Sequence, residues 1–127
     1  MRTDWSAEAK KVFKSFSYAI EGIVHAVKME RNLRIHLTFT VLVCLFAVWF
    51  SVSITEWLII LLAIGAVISL ELVNTALERV VDLVTEEHLP LAKQAKDVAA
   101  GAVFVFAIIA VIIGLVIFLP KIFQILN

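Results

Sequence analysis

The chain has 127 residues, of which 62% are hydrophobic and 17% charged, against about 45–50% and 25% in an ordinary soluble domain. Its 11 basic and 11 acidic side chains cancel, which argues against a general electrostatic grip on nucleic acid, and a single cysteine, Cys44, excludes an intrachain disulfide framework. The apolar surplus is gathered into three long runs, so the expectation is an all-α integral membrane protein with one membrane domain over residues 1–127.

The first predicted element is an amphipathic surface helix over about residues 6–29. The opening 34 residues are polar and basic, unlike a secretory signal. At 100° per residue, Val12, Phe13, Phe16, Ile20, Ile23, Val24 and Val27 share an arc of about 120°. Lys10, Lys11, Lys14, Tyr18, Glu21, His25 and Lys28 take the opposite side. Such a helix lies on a membrane with its apolar side down. It leads into Met29-Glu30-Arg31-Asn32-Leu33-Arg34. Snorkelling explains the arginines, but Glu30 beside a bilayer is less expected.

Three membrane helices are predicted next, over residues 35–54, 57–84 and 97–119. The apolar runs behind the first and third, Ile35 to Ile54 and Val98 to Pro120, contain no Asp, Glu, Lys or Arg and reach the roughly 20 residues a bilayer requires. The middle run is interrupted by Glu71, so to cross it must carry Glu71 and Asn74 into or against the membrane. A carboxylate there costs roughly 2.5–3.5 kcal/mol on insertion scales and marks a functional site by default. Seven Lys/Arg precede the first run and three lie between Glu78 and Asp97, while the loop Ser51 to Glu56 has none and the tail has Lys121 alone. The positive-inside rule then places the N-terminus and second loop in the cytoplasm and the C-terminus outside. Trp49 and Trp57 flank the outer loop as interfacial aromatics.

The second helix carries the most informative pattern. Glu71, Asn74, Thr75, Glu78 and Asp82 fall within about 100° of one another on a helix. Three acids so stacked repel, and call for protonation, a basic partner or a divalent cation. Hard oxygen ligands suit Mg²⁺, which binds through one or two carboxylates plus substrate phosphates. A polar helix–helix seam is the plainer alternative. In the loop that follows, from Thr85 and Glu86 to His88 and Pro90, Pro90 is expected to break the long helix. Asp97 is expected to cap the third span, with Lys93 and Lys96 within reach of a bound phosphate. Ala99, Ala100, Gly101, Ala102, Gly65 and Ser69 are expected to allow close helix packing. No P-loop, dinucleotide fingerprint or soluble-kinase catalytic loop is present, and His25, His36 and His88 lack zinc-ligand spacing. These features leave two classes open: a lipid-modifying enzyme using a metal–phosphate substrate, and a small transporter with an acidic intramembrane site. Acids that climb toward waiting basic residues favour the enzyme, since a transporter more often holds its acid at the midplane on broken helices.

Glu71-x-x-Asn74-Thr75-Ala76-x-Glu78-x-x-x-Asp82, followed by Ala95-Lys96-Asp97, resembles the signature of the bacterial diacylglycerol kinase/undecaprenol kinase family. The resemblance extends over nearly the whole chain. Glu30-Arg31-Asn32 with His36, and His88-x-Pro90-Leu-Ala-Lys93, resemble the undecaprenol kinase branch of Gram-positive bacteria. The other branch usually has a glutamine where this chain has Ile35. The resemblance implies a homotrimer in the bacterial inner membrane, with active sites shared between subunits. It implies transfer of the γ-phosphoryl group of ATP, with Mg²⁺, to undecaprenol, or alternatively to diacylglycerol. By matching position, Glu30 and Glu78 would hold Mg²⁺, Glu71 would be the base for the lipid hydroxyl, and Asn74 would orient the reacting groups. Lys96 would meet the phosphates, Asp82 and Asp97 would help bind the nucleotide, and Lys14 and Tyr18 would lie near it.

Overall fold

The computed structural model describes residues 5–85 and 87–126. They form four helices, α1 (Trp5–Met29), α2 (Arg31–Trp49), α3 (Ile54–Val84) and α4 (Pro90–Leu126). The last three are long and apolar enough to cross a membrane. With its 31 residues, α3 is about 46 Å long at 1.5 Å per residue, more than the roughly 30 Å of bilayer hydrocarbon. Glu86, read from the sequence as part of the second loop, lies outside the described residues.

Local chemistry sets each boundary, and several differ from the sequence expectation. α1 and α2 are separated by Glu30 alone, whose backbone is extended (φ −98°, ψ 119°). The break stays tight because the Glu30 N–H still donates to the Ala26 carbonyl at 2.8 Å. The Arg34 guanidinium donates to the Lys28 and Val27 carbonyls at 2.8 and 3.2 Å, satisfying acceptors that the end of α1 would otherwise orphan. α2 therefore begins at Arg31, not 35.

At its other end α2 stops at Trp49, short of the expected 54. Ser51 adopts a left-handed conformation (φ 49°), its N–H bonds to the Val48 carbonyl, and the Val52 N–H bonds back to Ala47, each at 3.1 Å. This is a Schellman termination, with buried Val52 packed in the same cluster as buried Ala47. α3 starts at Ile54 rather than 57, because Ser53 and Glu56 form a capping box: Glu56 N–H donates to Ser53 Oγ at 3.3 Å and Ser53 N–H to Glu56 Oε2 at 2.6 Å.

The expected role of Pro90 as the breaker of the long helix is not what the fold uses it for. α3 already ends at Val84, with Thr85 as its C-cap, and Pro90 is the first residue of α4. A proline fits there because the first-turn N–H it lacks has no intrahelical partner anyway, and its fixed φ suits a helix start. Asp97 consequently lies two turns inside α4 and caps nothing; it accepts a hydrogen bond from Lys93. α4 also runs past the expected end at 119, through Pro120 to Leu126.

α3 is the central element, packed most extensively on α4, then on α2, with α1 touching both α2 and α3. Because α2 and α4 run antiparallel to α3, the start of α2, the end of α3 and the start of α4 share one end of the bundle. Opposite it, Ala47, Val52, Ile60 and Ile117 form a buried cluster walled by Phe50, Trp57 and Phe118. There Lys121 Nζ lies 3.2 Å from Glu56 Oε1, joining the end of α4 to the start of α3. Of the expected packing residues, Ala99 is buried. Gly65 and Gly101 make no close approach within the chain, since a Cβ at either would meet nothing within 4 Å. Most large apolar side chains of the membrane-length helices are exposed, as helices facing hydrocarbon require.

Candidate active site

The polar stripe of α3 is present at the end shared with the starts of α2 and α4. Glu71, Asn74 and Thr75 are buried, with Glu71 only 3% exposed; Glu78 is half-buried and Asp82 exposed. Helical spacing of four residues lets Asn74 Nδ2 donate to Glu78 Oε1 at 3.0 Å. Its other amide atom, Oδ1, is buried and accepts no hydrogen bond. An unmet buried acceptor costs about 1–3 kcal/mol, so the amide is fixed toward Glu78 while presenting an acceptor to whatever donor enters the site.

Antiparallel packing brings α2 onto this stripe. Residue numbers rise along α2 as they fall along α3, so Glu30 meets Arg79 and His36 comes within electrostatic range of Glu71. Arg79 Nη2 lies 3.3 Å from Glu30 Oε1. Glu71 lies within electrostatic range of His36, Glu78 and Glu30. Three carboxylates, a histidine and an arginine are thus gathered from α2, α3 and the α1–α2 break. Among the described residues, no group of three or more His, Cys, Asp or Glu side chains forms a ready-made metal cage.

Further along α3, Asp82 accepts a hydrogen bond from Lys96 of α4, one turn beyond Glu78. Lys93 pairs with Asp97 on α4 itself. A cavity of about 450 Å³ opens between these helices, lined by Asp82, Thr85, His88, Pro90, Lys93 and Lys96. Its two lysines are paired with the carboxylates of Asp97 and Asp82. A second cavity, about 390 Å³ and almost wholly apolar, runs between α2, α3 and α4; Ile35 and His36 lie at one end and Phe46 and Phe118 toward the other.

Of the residues singled out from the sequence, the fold therefore gathers Glu30, Glu71, Asn74 and Glu78 into one group, and Asp82, Lys96 and Asp97 beside it with Lys93. It does not bring Lys14 and Tyr18 to that group within the chain. They are exposed on α1, the Lys14 ammonium lying 5.8 Å from the Tyr18 ring centre. Sequence reasoning missed His36 as a neighbour of Glu71 and gave Arg79 no role beyond its charge. Their partners stand 35 and 49 residues away, and helical periodicity carries no signal across such a distance.

The family model described as prokaryotic diacylglycerol kinase matches residues 17–118, a span that takes in both cavities and the whole acidic stripe. The chain is 54% identical over 120 residues to an undecaprenol kinase of Bacillus subtilis (strain 168), covering 93% of this chain and 96% of that one. It is 43% identical over 120 residues to a diacylglycerol kinase of Synechocystis, covering 93% and 68%. To a diacylglycerol kinase of Escherichia coli K12 it is 28% identical over 102 residues, covering 80% and 84%.

Proposed function

The chain belongs to the prokaryotic diacylglycerol kinase family of membrane-bound lipid kinases, and from that premise we propose that its acceptor is undecaprenol, phosphorylated at the expense of ATP to give undecaprenyl phosphate. The observation that carries the acceptor is the 54% identity to an undecaprenol kinase along 93% of the chain. Apolar Ile35 at the end of the long apolar cavity agrees with it, because a single isoprenoid chain brings no ester carbonyls that need a polar partner.

Phosphoryl transfer needs positioning and charge stabilisation rather than covalent catalysis. Glu71, the most deeply buried acid of the stripe, is the base: it takes the proton of the lipid hydroxyl as that oxygen bonds to the γ-phosphorus. The bond from phosphorus to the β–γ bridging oxygen breaks, and ADP leaves with that electron pair. Asn74, fixed by Glu78 and offering Oδ1, orients the hydroxyl by accepting its hydrogen bond before the proton moves. Lys96 exchanges Asp82 for phosphate oxygens, and Asp97 holds Lys93 at the cavity rim.

Glu30 and Glu78 fit Mg²⁺, since two carboxylates that leave room for phosphate oxygens are the usual protein share of such a site, and the acids of this cluster are crowded with little positive charge. Bound there, Mg²⁺ would neutralise the phosphate oxygens. Lys14 and Tyr18, remote from the stripe within one chain, reach a nucleotide in a homotrimer whose sites are shared between neighbours, with α1 lying on the membrane surface. The exposed Phe13, Phe16, Ile20 and Ile23 of α1 support that arrangement. The site faces the cytoplasm, where ATP is.

The test is turnover by the purified protein in detergent with ATP and Mg²⁺, with undecaprenol and diacylglycerol offered in competition at equal mole fraction. Both are expected to react, with undecaprenol preferred. Ile35→Gln is expected to narrow the preference, an amide hydrogen bond being worth about 1 kcal/mol net. A wild-type preference for diacylglycerol overturns the acceptor, and turnover of neither lipid overturns the reading as a whole.

A further inference from the structure

Arg79 is one residue beyond Glu78 and about 100° round the helix from it, just outside the polar stripe. From there it reaches across to the α1–α2 break and pairs with Glu30. Glu30 has no helix-capping hydrogen bond for its own carboxylate, and the Arg79 contact at 3.3 Å engages one of its two oxygens. The other cations seen in ion pairs at this end are engaged elsewhere, Lys96 with Asp82 and Lys93 with Asp97. Arg34 is turned to the α1 carbonyls. Glu71 has Glu30, Glu78 and His36 within electrostatic range, and Arg79 is the guanidinium bonded to Glu30 in this group.

We propose that Arg79 is the internal counter-charge of the acidic site: paired with Glu30, it holds that carboxylate at the edge of the acidic group while no metal is bound, and gives it up when a metal–nucleotide complex arrives. This rests on the assignment of Glu30 and Glu78 to the metal. The pair is built for exchange. Its side chains are 43% and 29% exposed, and ion pairs so open to water contribute little to stability. A divalent cation brings twice the charge of a guanidinium to the same oxygen, so Glu30 transfers readily. A bare cation must meanwhile approach Arg79, whereas one carrying polyphosphate arrives with compensating negative charge. Arg79 is thereby a positioning residue that also biases the site toward the metal–nucleotide complex over the free metal.

The decisive measurement is binding of Mn²⁺ to the nucleotide-free protein in detergent, followed by the loss of the free-ion paramagnetic resonance signal. Arg79→Gln is expected to tighten Mn²⁺ binding by roughly 3- to 30-fold, the scale on which removing one like charge a few ångströms away acts in a partly wet site. Arg79→Lys, which keeps the charge, is expected to stay near wild type. In a Glu30→Gln background the gain is expected to shrink, because the carboxylate that Arg79 withholds is gone. A merely structural arginine would leave Mn²⁺ binding unchanged or weakened in Arg79→Gln, and that result overturns the proposal. So does the absence of millimolar-range binding to both wild type and Arg79→Gln. Glu78→Gln separates the two readings. If it weakens Mn²⁺ binding while Arg79→Gln changes nothing, the counter-charge fails and the metal site stands; if it binds as wild type, the metal assignment fails first.

Discussion

Glu71 and Asn74 show how one residue's surroundings set its use. A carboxylate with 3% of its surface exposed on a membrane-length helix is costly to keep, and the helix would be better packed without it. Glu71→Gln preserves shape and removes the proposed proton acceptor. Turnover is expected to fall by roughly 10²–10⁴, with ATP affinity nearly unchanged and thermal stability in detergent equal or higher. Loss of ATP binding with turnover preserved at saturation would reassign Glu71 to the nucleotide. The stripe that contains it was legible in the sequence, because five polar residues on one helical arc stand out from an apolar background. Its neighbours His36 and Arg79 were not: periodicity tells which residues share a face of α3, but not which residues of α2 lie opposite.

At the scale of elements, the helix boundaries on either side of α3 differ from those expected of the sequence, and for a physical reason. Apolar runs mark where a helix can lie in hydrocarbon, not where its hydrogen bonds end, so the span 35–54 overran a helix that stops at Trp49. Termination there depends on Ser51 at φ 49°, a conformation that favours glycine. Pro90 misled in the opposite sense, since proline halts a helix that precedes it and opens one that follows. Ser51→Gly is expected to stabilise the fold by about 0.5–1 kcal/mol, the relief of left-handed strain less the extra chain entropy. The midpoint of denaturation in mixed micelles reads it; an unchanged or lowered midpoint would mean the serine makes up the strain elsewhere.

For the molecule as a whole, the proposed orientation in the membrane rests on charge: of the 11 Lys and Arg residues, all but Lys121 fall on the side proposed to be cytoplasmic. Thiol labelling tests it, in a background with Cys44→Ala. Thr55→Cys is the better outer probe than a cysteine at Ser53, whose hydroxyl caps α3; Thr55 is exposed in the first turn. It is expected to react with an impermeant reagent in intact cells, and Glu87→Cys only after the membrane is opened. The reverse pattern would put the acidic site on the face that lacks ATP.

The one-residue break at Glu30 has a consequence for how this chain can vary. α1 and α2 are nearly continuous, and the residue between them is also the one whose carboxylate reaches α3. Adding or deleting a single residue there would rotate the whole of α1 by about 100° about its axis, turning Phe13, Phe16 and Ile20 sideways and withdrawing the acid from Arg79 in the same stroke. The length of this junction is therefore as constrained as the acid it carries.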